Sequence, residues 1–372
     1  MLTTFQVLAM IAQIRTGLWV RNGFAIRGQL LHYRDFMLRE LCYDQDIFIL
    51  QIALAVLDPN TVIVTILERF GLVGYFSGVT LHPMYEGPQL ASMVEEVLYI
   101  FITILSEASN AAQIPITSQI RREIVHALAL GSCSYTDLVK RVAERLVEDV
   151  HFESVLTAVA NFRSPESVTD TGVYELKDEA FDEVNPFFFH YSRNKREEAE
   201  TILLNRLRKK NGIQDPVIVP NPTAITHGPF AIISSTFESE ALLQVMFYAI
   251  YNVLAATEDS TPTSAEAILD QTLHLIMLAL VERGSIFSHL CPVKTFEEDR
   301  TLLDVLCTLE FHDQYRTYKP RVAWILEQIA SHVPDEVTRR RHISDDNISA
   351  ASDIDDAKKR AAKAFICFII AA

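Results

Sequence analysis

Between Thr4 and Ala108, apolar residues return every three or four positions, which predicts helix throughout the segment. Leu90, Val94, Val97, Leu98 and Phe101 mark one such face. Asp58–Pro59–Asn60 and the stretch from Gly71 to Gly78 break the pattern into separate helices. From Ile47 to Leu57 the chain is apolar nearly all round, interrupted by Gln51, as expected of a helix covered on every side by neighbours.

The pattern shortens between Ile116 and Tyr191. Thr117 or Ser118 can cap a helix that buries Ile120, Ile124, Val125 and Leu128 and ends at Gly131. Ser134 with Asp137 predicts a capping box for a second helix carrying Leu138, Val142 and Leu146. A third helix is expected from Phe152 to Phe162, closed by Pro165. Asp170–Thr171–Gly172 then turns the chain into Val173–Tyr174–Glu175–Leu176–Lys177, whose alternation suits an edge strand. Three helices and a small β-wing make a winged helix.

Arg193 to Lys210 reads as a charged helix with a sparse apolar stripe of Ile202, Leu203 and Leu207, stopped by Asn211–Gly212. Asp215–Pro216 through Pro222 is an extended linker, after which long helices resume from Glu238 to His332. The fold class is therefore mainly α, a multi-helix scaffold with an inserted winged-helix domain. The expected units are a helical scaffold over 1–112, the winged helix over 113–192, a connecting helix over 193–212 and a second helical domain over 213–333. A tail over 334–372, poor in apolar residues, is expected to be largely disordered with a short basic helix. Within it, Arg341 three residues before Ser344, with acids following, could form a phosphorylation site.

A length of 372 residues suits two or three cores, and 49% hydrophobic with 22% charged residues points to packed domains. The net charge of −15 disfavours nucleic acid as a partner. The winged-helix segment itself, Thr117 to Ala180, carries seven Lys/Arg against eleven Asp/Glu, so protein docking is the better expectation there. Five scattered cysteines, without Cys-x-x-Cys or zinc-site spacing, indicate a reducing compartment. Residues 1–20 do not look like a signal peptide, and no apolar run is read as reaching the roughly 18 residues of a membrane span, so the expectation is a cytoplasmic protein, with the nucleus also open, and no membrane partner.

Chemistry is sparse. No glycine-rich phosphate loop, Gly-x-Ser-x-Gly elbow or His-Glu-x-x-His helix occurs. Cys291 beside His289 is read as structural, because catalytic Cys and His meet through the fold rather than by adjacency. His126 is read as a core or edge residue, and no catalytic, cofactor-binding or metal-binding residue is assigned.

One string stands apart: Phe187–Phe188–Phe189–His190–Tyr191 runs directly into the charged helix that continues through Arg196–Glu197–Glu198–Ala199–Glu200. With Arg121–Arg122–Glu123–Ile124–Val125–His126 and Gly172–Val173–Tyr174–Glu175–Leu176–Lys177, it resembles the central region of the UBR-box N-recognin ubiquitin ligases, the N-degron pathway ligases of fungi and animals. Ile11–Ala12–Gln13–Ile14–Arg15, Tyr43–Asp44–Gln45–Asp46–Ile47 and Trp324–Ile325–Leu326 extend the likeness over most of the chain.

The resemblance implies a ligase in which a UBR box binds destabilising amino termini and a RING domain recruits a ubiquitin-conjugating enzyme. Both depend on zinc held by Cys/His clusters that this sequence lacks. The chain thus looks like an internal scaffold piece, inactive alone and without its own cofactor, whose implied partners are the conjugating enzyme and N-degron protein substrates. In relatives a basic, alanine-rich helix leads to the RING and grips the conjugating enzyme. Its counterpart here is Asp355 to Lys363, which makes Lys358, Lys359, Arg360 and Lys363 the candidate contact. The sequence departs from that pattern at Phe365–Ile366–Cys367–Phe368–Ile369–Ile370, the kind of ending a truncated or misread gene leaves. The alternative is a non-enzymatic winged-helix interaction scaffold; a transcription factor is disfavoured by charge.

Overall fold

The computed structural model describes residues 2–19, 23–34, 39–79, 84–165, 171–255 and 262–345. It is mainly α. Helices α1 (Leu2–Arg15), α2 (Gly23–Arg34), α3 (Tyr43–Val56), α4 (Pro59–Phe70) and α5 (Gly87–Ser106) come first. The winged helix follows, with α6 (Ile116–Ala129), α7 (Tyr135–Arg141), α8 (Glu144–Val147), α9 (Phe152–Val159), β1 (Ala160–Arg163) and β2 (Val173–Leu176). Then come α10 (Arg193–Asn211), α11 (Glu240–Ala255), α12 (Pro262–Leu290), α13 (Leu302–Phe311) and α14 (Lys319–Ala330).

The termini of these helices follow local chemistry. Asp58 accepts the Thr61 N–H at 2.9 Å with Pro59 in the first helical position, so α4 starts where the missing proline donor costs nothing. Ser134 accepts the Asp137 N–H as expected, whereas the cap position of α6 is Pro115 rather than Thr117 or Ser118. Gly212 closes α10 at φ 67°, a left-handed conformation that costs other residues free energy.

The helical segments on either side of the winged helix share one contiguous apolar core. Val97 and Phe101 of α5, Met246 of α11, Ile276 of α12 and Ile325 of α14 all belong to it. The periodicity along each helix defines an apolar face but not its partner, and α5 finds its partner in α12. Burying a side chain such as Phe101 contributes about 1.5–3 kcal/mol, so this shared face dominates the packing. By length and composition α5 and α12 could each cross a membrane, contrary to the reading that no apolar run is long enough, yet most of each is buried as a core helix.

Gln51 explains how a polar side chain sits in the all-apolar face of α3. Its Nε2 donates to the carbonyls of Ile104 at 3.0 Å and Glu107 at 2.5 Å, groups that the end of α5 leaves without helical partners.

The winged helix has its own smaller core of Ile120, Leu138, Leu156, Val159 and Leu176. α9 stops at Val159, short of the expected Phe162, because Ala160–Arg163 pairs antiparallel with Val173–Leu176. In this two-stranded sheet β2 is an edge strand as expected, and on its other side Tyr174 exchanges backbone hydrogen bonds with Cys133 in one isolated bridge. α10 bridges the two cores, with Ala199 in the large one and Leu203 in the small one.

The expected disorder from 334 onward needs correction over its first part. Residues 334–345 are helical, Val337 joins the large core, and Arg341 grips Glu310 with two 2.8 Å hydrogen bonds. Ser344 is buried, which argues against an accessible phosphorylation site there. The remainder of the tail lies outside the described residues.

Candidate functional site

The aromatic string after the winged helix is where the two cores are locked together. Phe187, Phe188, Phe189 and Tyr191 are buried in the large core, and Phe188 and Tyr191 reach His126 on α6. His126 stacks on Phe188 at 4.1 Å, and the Tyr191 hydroxyl donates to the His126 carbonyl at 2.6 Å. Asn185 donates its N–H to His126 Nε2 at 3.0 Å, while Nδ1 faces the Arg122 carbonyl at 2.7 Å. These roles require the neutral Nδ1–H tautomer. Burial, reinforced by the nearby Arg122 charge, brings the His126 pKa down to about 4, so the ring stays neutral.

His190 is the opposite case. Its Nδ1 lies 2.7 Å from Glu123 Oε1 on α6, and its Nε2 lies 3.0 Å from Asp44 Oδ1 on α3. Two carboxylates on two ring nitrogens call for two N–H donors, which only imidazolium supplies. Burial opposes that charge, but the fields of Glu123 and Asp44 outweigh it and the pKa is raised. Burial likewise opposes the Glu123 charge, and His190 and Arg39 overcome it, leaving the carboxyl at about 2. Beside this pair, Arg122 holds Glu107 by two hydrogen bonds of 2.7 Å and lies over the Phe188 ring.

Beyond the lock, a cleft of about 790 Å³ opens between α10, the segment 215–221, α12 and the start of α14. Phe187 stacks on buried His274 at 3.7 Å at its inner end. Arg321 ion-pairs with the Asp270 carboxylate and stands 4.0 Å from Glu200. Burial first, and then the neighbouring Asp270, push the Glu200 carboxyl up to about 7.

None of this amounts to a nucleophile or a metal centre. Cys291 and Cys307 are buried, and burial pushes their thiols up, Cys307 to about 12. His289 Nδ1 is engaged by the Ser285 carbonyl at 2.7 Å rather than by Cys291. Among the described residues no three His, Cys, Asp or Glu side chains converge as a metal site would need, so the donor set for a structural zinc is not assembled here. The helix that a DNA-binding winged helix would present, α9, carries Glu153 and no cation. Lys358, Lys359, Arg360 and Lys363 lie outside the described residues.

Sequence reasoning quoted Arg122, Glu123 and His190 as parts of strings but not as a lock, because their partners Asp44 and Glu107 are distant in the chain. Glu200, Asp270 and Arg321 went unnoticed as a group for the same reason.

Two family models match. One, described as a UBR1/2/3-like ARM repeat domain, spans residues 1–100. The other, described as an E3 ubiquitin-protein ligase UBR1-like winged-helix domain, spans 119–218. Its match takes in α10 and reaches Ile218, which packs on the winged-helix core. The E3 ubiquitin-protein ligase ubr1 of Schizosaccharomyces pombe is 33% identical over 88% of the chain. Human E3 ubiquitin-protein ligase UBR2 is 29% identical over 86%, and human UBR1 is 32% identical over 52%. The chain spans 18% of the fission-yeast relative and 19% of human UBR2, about a fifth of the length of these two.

Proposed function

The chain belongs to the UBR1/2/3-like family of E3 ubiquitin-protein ligases, and from that membership we propose that it is the rigid central scaffold of a RING-type ligase acting on N-degron substrates. In such a ligase, ubiquitin passes from the thioester of a conjugating enzyme to a substrate lysine. A scaffold contributes by fixing the distance and orientation of the two, which converts an encounter into an intramolecular step. Zinc would belong to the UBR box and the RING of the whole ligase, and the setting would be cytoplasmic.

The observation that carries this reading is the lock between the two cores. His190 bridges α3 and α6, Arg122 ties α6 to Glu107 just beyond α5, and α10 has one residue in each core. A winged helix held this way moves with the helical body instead of swinging on a linker. That stiffness suits positioning, and the lack of a reactive thiolate among Cys291 and Cys307 suits a ligase that transfers no ubiquitin through itself. Lys358, Lys359, Arg360 and Lys363 are the residues proposed to meet an acidic face of the conjugating enzyme.

Single-turnover discharge of a ubiquitin-charged conjugating enzyme tests the proposal. The chain alone should not accelerate discharge to free lysine, whereas the chain with a RING domain fused after Lys363 should. Acceleration by the unfused chain would contradict a scaffold role. Failure of both would favour the non-enzymatic interaction scaffold.

A further inference from the structure

The cleft of about 790 Å³ lies within the roughly 300–1,000 Å³ range of ligand sites. Its charges do not balance once the internal pairs are formed. Three of its four arginines are ion-paired, Arg321 to Asp270, Arg193 to Glu95 and Glu197, and Arg196 to Glu95 at 3.5 Å, while Arg208 donates to the Gln214 carbonyl at 2.9 Å and its charge offsets one carboxylate of the cleft. On the acidic side, Asp182 is held by Lys210 and Glu183 by Arg121. Three carboxylates are left over. Glu200 accepts no hydrogen bond among the described residues and has only Arg321 at 4.0 Å, while the carboxylates of Glu266 and Asp215 have no ion pair among them.

With three carboxylates against the one charge of Arg208 the surplus is negative; Glu200 is part-buried and Glu266 and Asp215 are exposed, beside apolar walls supplied by Leu204, Leu207 and Val217. Low local dielectric strengthens attraction for an incoming cation relative to the open surface. A part-buried carboxyl that has lost some of its water without gaining a hydrogen-bond donor also benefits from one. Glu200 is in that position, which is why its proton is held up to about 7.

We propose that this cleft docks a short basic segment of a partner protein, with a Lys or Arg side chain reaching the Glu200 carboxylate and the flanking residues lying on the apolar walls. Charge complementarity sets the occupant's chemistry, and the inference does not depend on the ligase reading.

The probe is a fluorescein-labelled nonapeptide alternating Lys and Ala, acetylated and amidated at its ends so that only side-chain cations are offered. Anisotropy would be followed with the full chain at about 0.05 M salt, where exposed charges still attract across more than about 10 Å. Saturable binding is expected, weakened about tenfold or more by Glu200→Gln with Glu266→Gln, because removing both carboxylates removes the charge the probe meets. The same loss of charge outside the cleft, Glu68→Gln with Glu153→Gln, should change affinity by less than about twofold, since screening confines the effect of exposed charges. Thermal unfolding monitored by circular dichroism checks that both variants are folded. Equal weakening by the two pairs would reduce the binding to diffuse attraction by a chain of net charge −15, and overturn the proposal. Absence of saturable binding would overturn it as well. Binding that emerges only on removal of residues 346–372 would assign the cleft to the chain's own basic stretch and equally remove the partner.

Discussion

Arg122 holds Glu107 through two parallel guanidinium–carboxylate hydrogen bonds, each 2.7 Å long, and so ties the first helix of the winged helix to the residue that follows α5. Glu107 is buried, and Arg122 overcomes the burial that would otherwise favour its neutral form, keeping its pKa below the usual range. Arg122→Ala strands that carboxylate in the interior and should cost about 3–5 kcal/mol. The double replacement Arg122→Met with Glu107→Leu should recover most of the loss, since no uncompensated charge is left behind. Urea unfolding of the two variants, followed by circular dichroism, checks both outcomes.

The His190 bridge sets a pH window. Its folded pKa is raised above the 6.5 of the free side chain, so its contribution is complete below about 6.5 and is lost as pH rises through the folded value. Glu123 is depressed to about 2, so its contribution is complete above about 4.5 and is lost as pH falls toward 2. The His190–Glu123 pair should contribute most between about pH 4.5 and 6.5, whereas neutral His126, its pKa lowered to about 4, withdraws stability from the same junction as pH falls from 6.5 toward 4. Arg39 pairs with Glu123 at 3.7 Å in the same cluster, and Arg122 beside it stays charged throughout. The stability difference between wild type and His190→Gln should shrink as pH is raised from 6.5 to 9. A difference that stays constant over this range, measured by urea titration at each pH, would contradict a charged bridge.

Gln51→Leu tests the polar plug in α3. Leucine matches the apolar surroundings but leaves the carbonyls of Ile104 and Glu107 without the amide that now donates to them. The expected cost is about 1–3 kcal/mol, the penalty for buried polar groups left unpaired. Gln51→Glu should cost more, because a carboxylate would face two acceptors. Thermal melts compared with wild type give the ranking.

What could be read from the residues alone divides along physical lines. Features written within a few residues were legible: the Ser134 cap, the strand at Val173, and the charged helix stopped by Gly212. β1 was hidden because Ala160–Arg163 follows α9 with no glycine or proline between, and four residues show little alternation. The helix at 334–345 was hidden because its anchors are remote: Arg340 reaches Asp304, and Arg341 reaches Glu310. The shared core went unseen because a periodic face looks the same whether it meets its neighbour in sequence or a helix far along the chain. The candidate cleft suffered most. Glu200, Asp270 and Arg321 come from three separate helices, and no local spacing announces their meeting.

The pairing of α5 with α12 also imposes an order on birth. A ribosome that has just released Ser106 must add roughly 160 residues before Ala265 emerges, about ten to thirty seconds of synthesis at ordinary rates. Throughout that interval the flank of α5 that will pack on α12 has no permanent cover, while the winged helix, with its own small core, can already close. The nascent chain thus carries a finished domain beside an open wound, and chaperones that bind exposed hydrophobic helices should find it in that state.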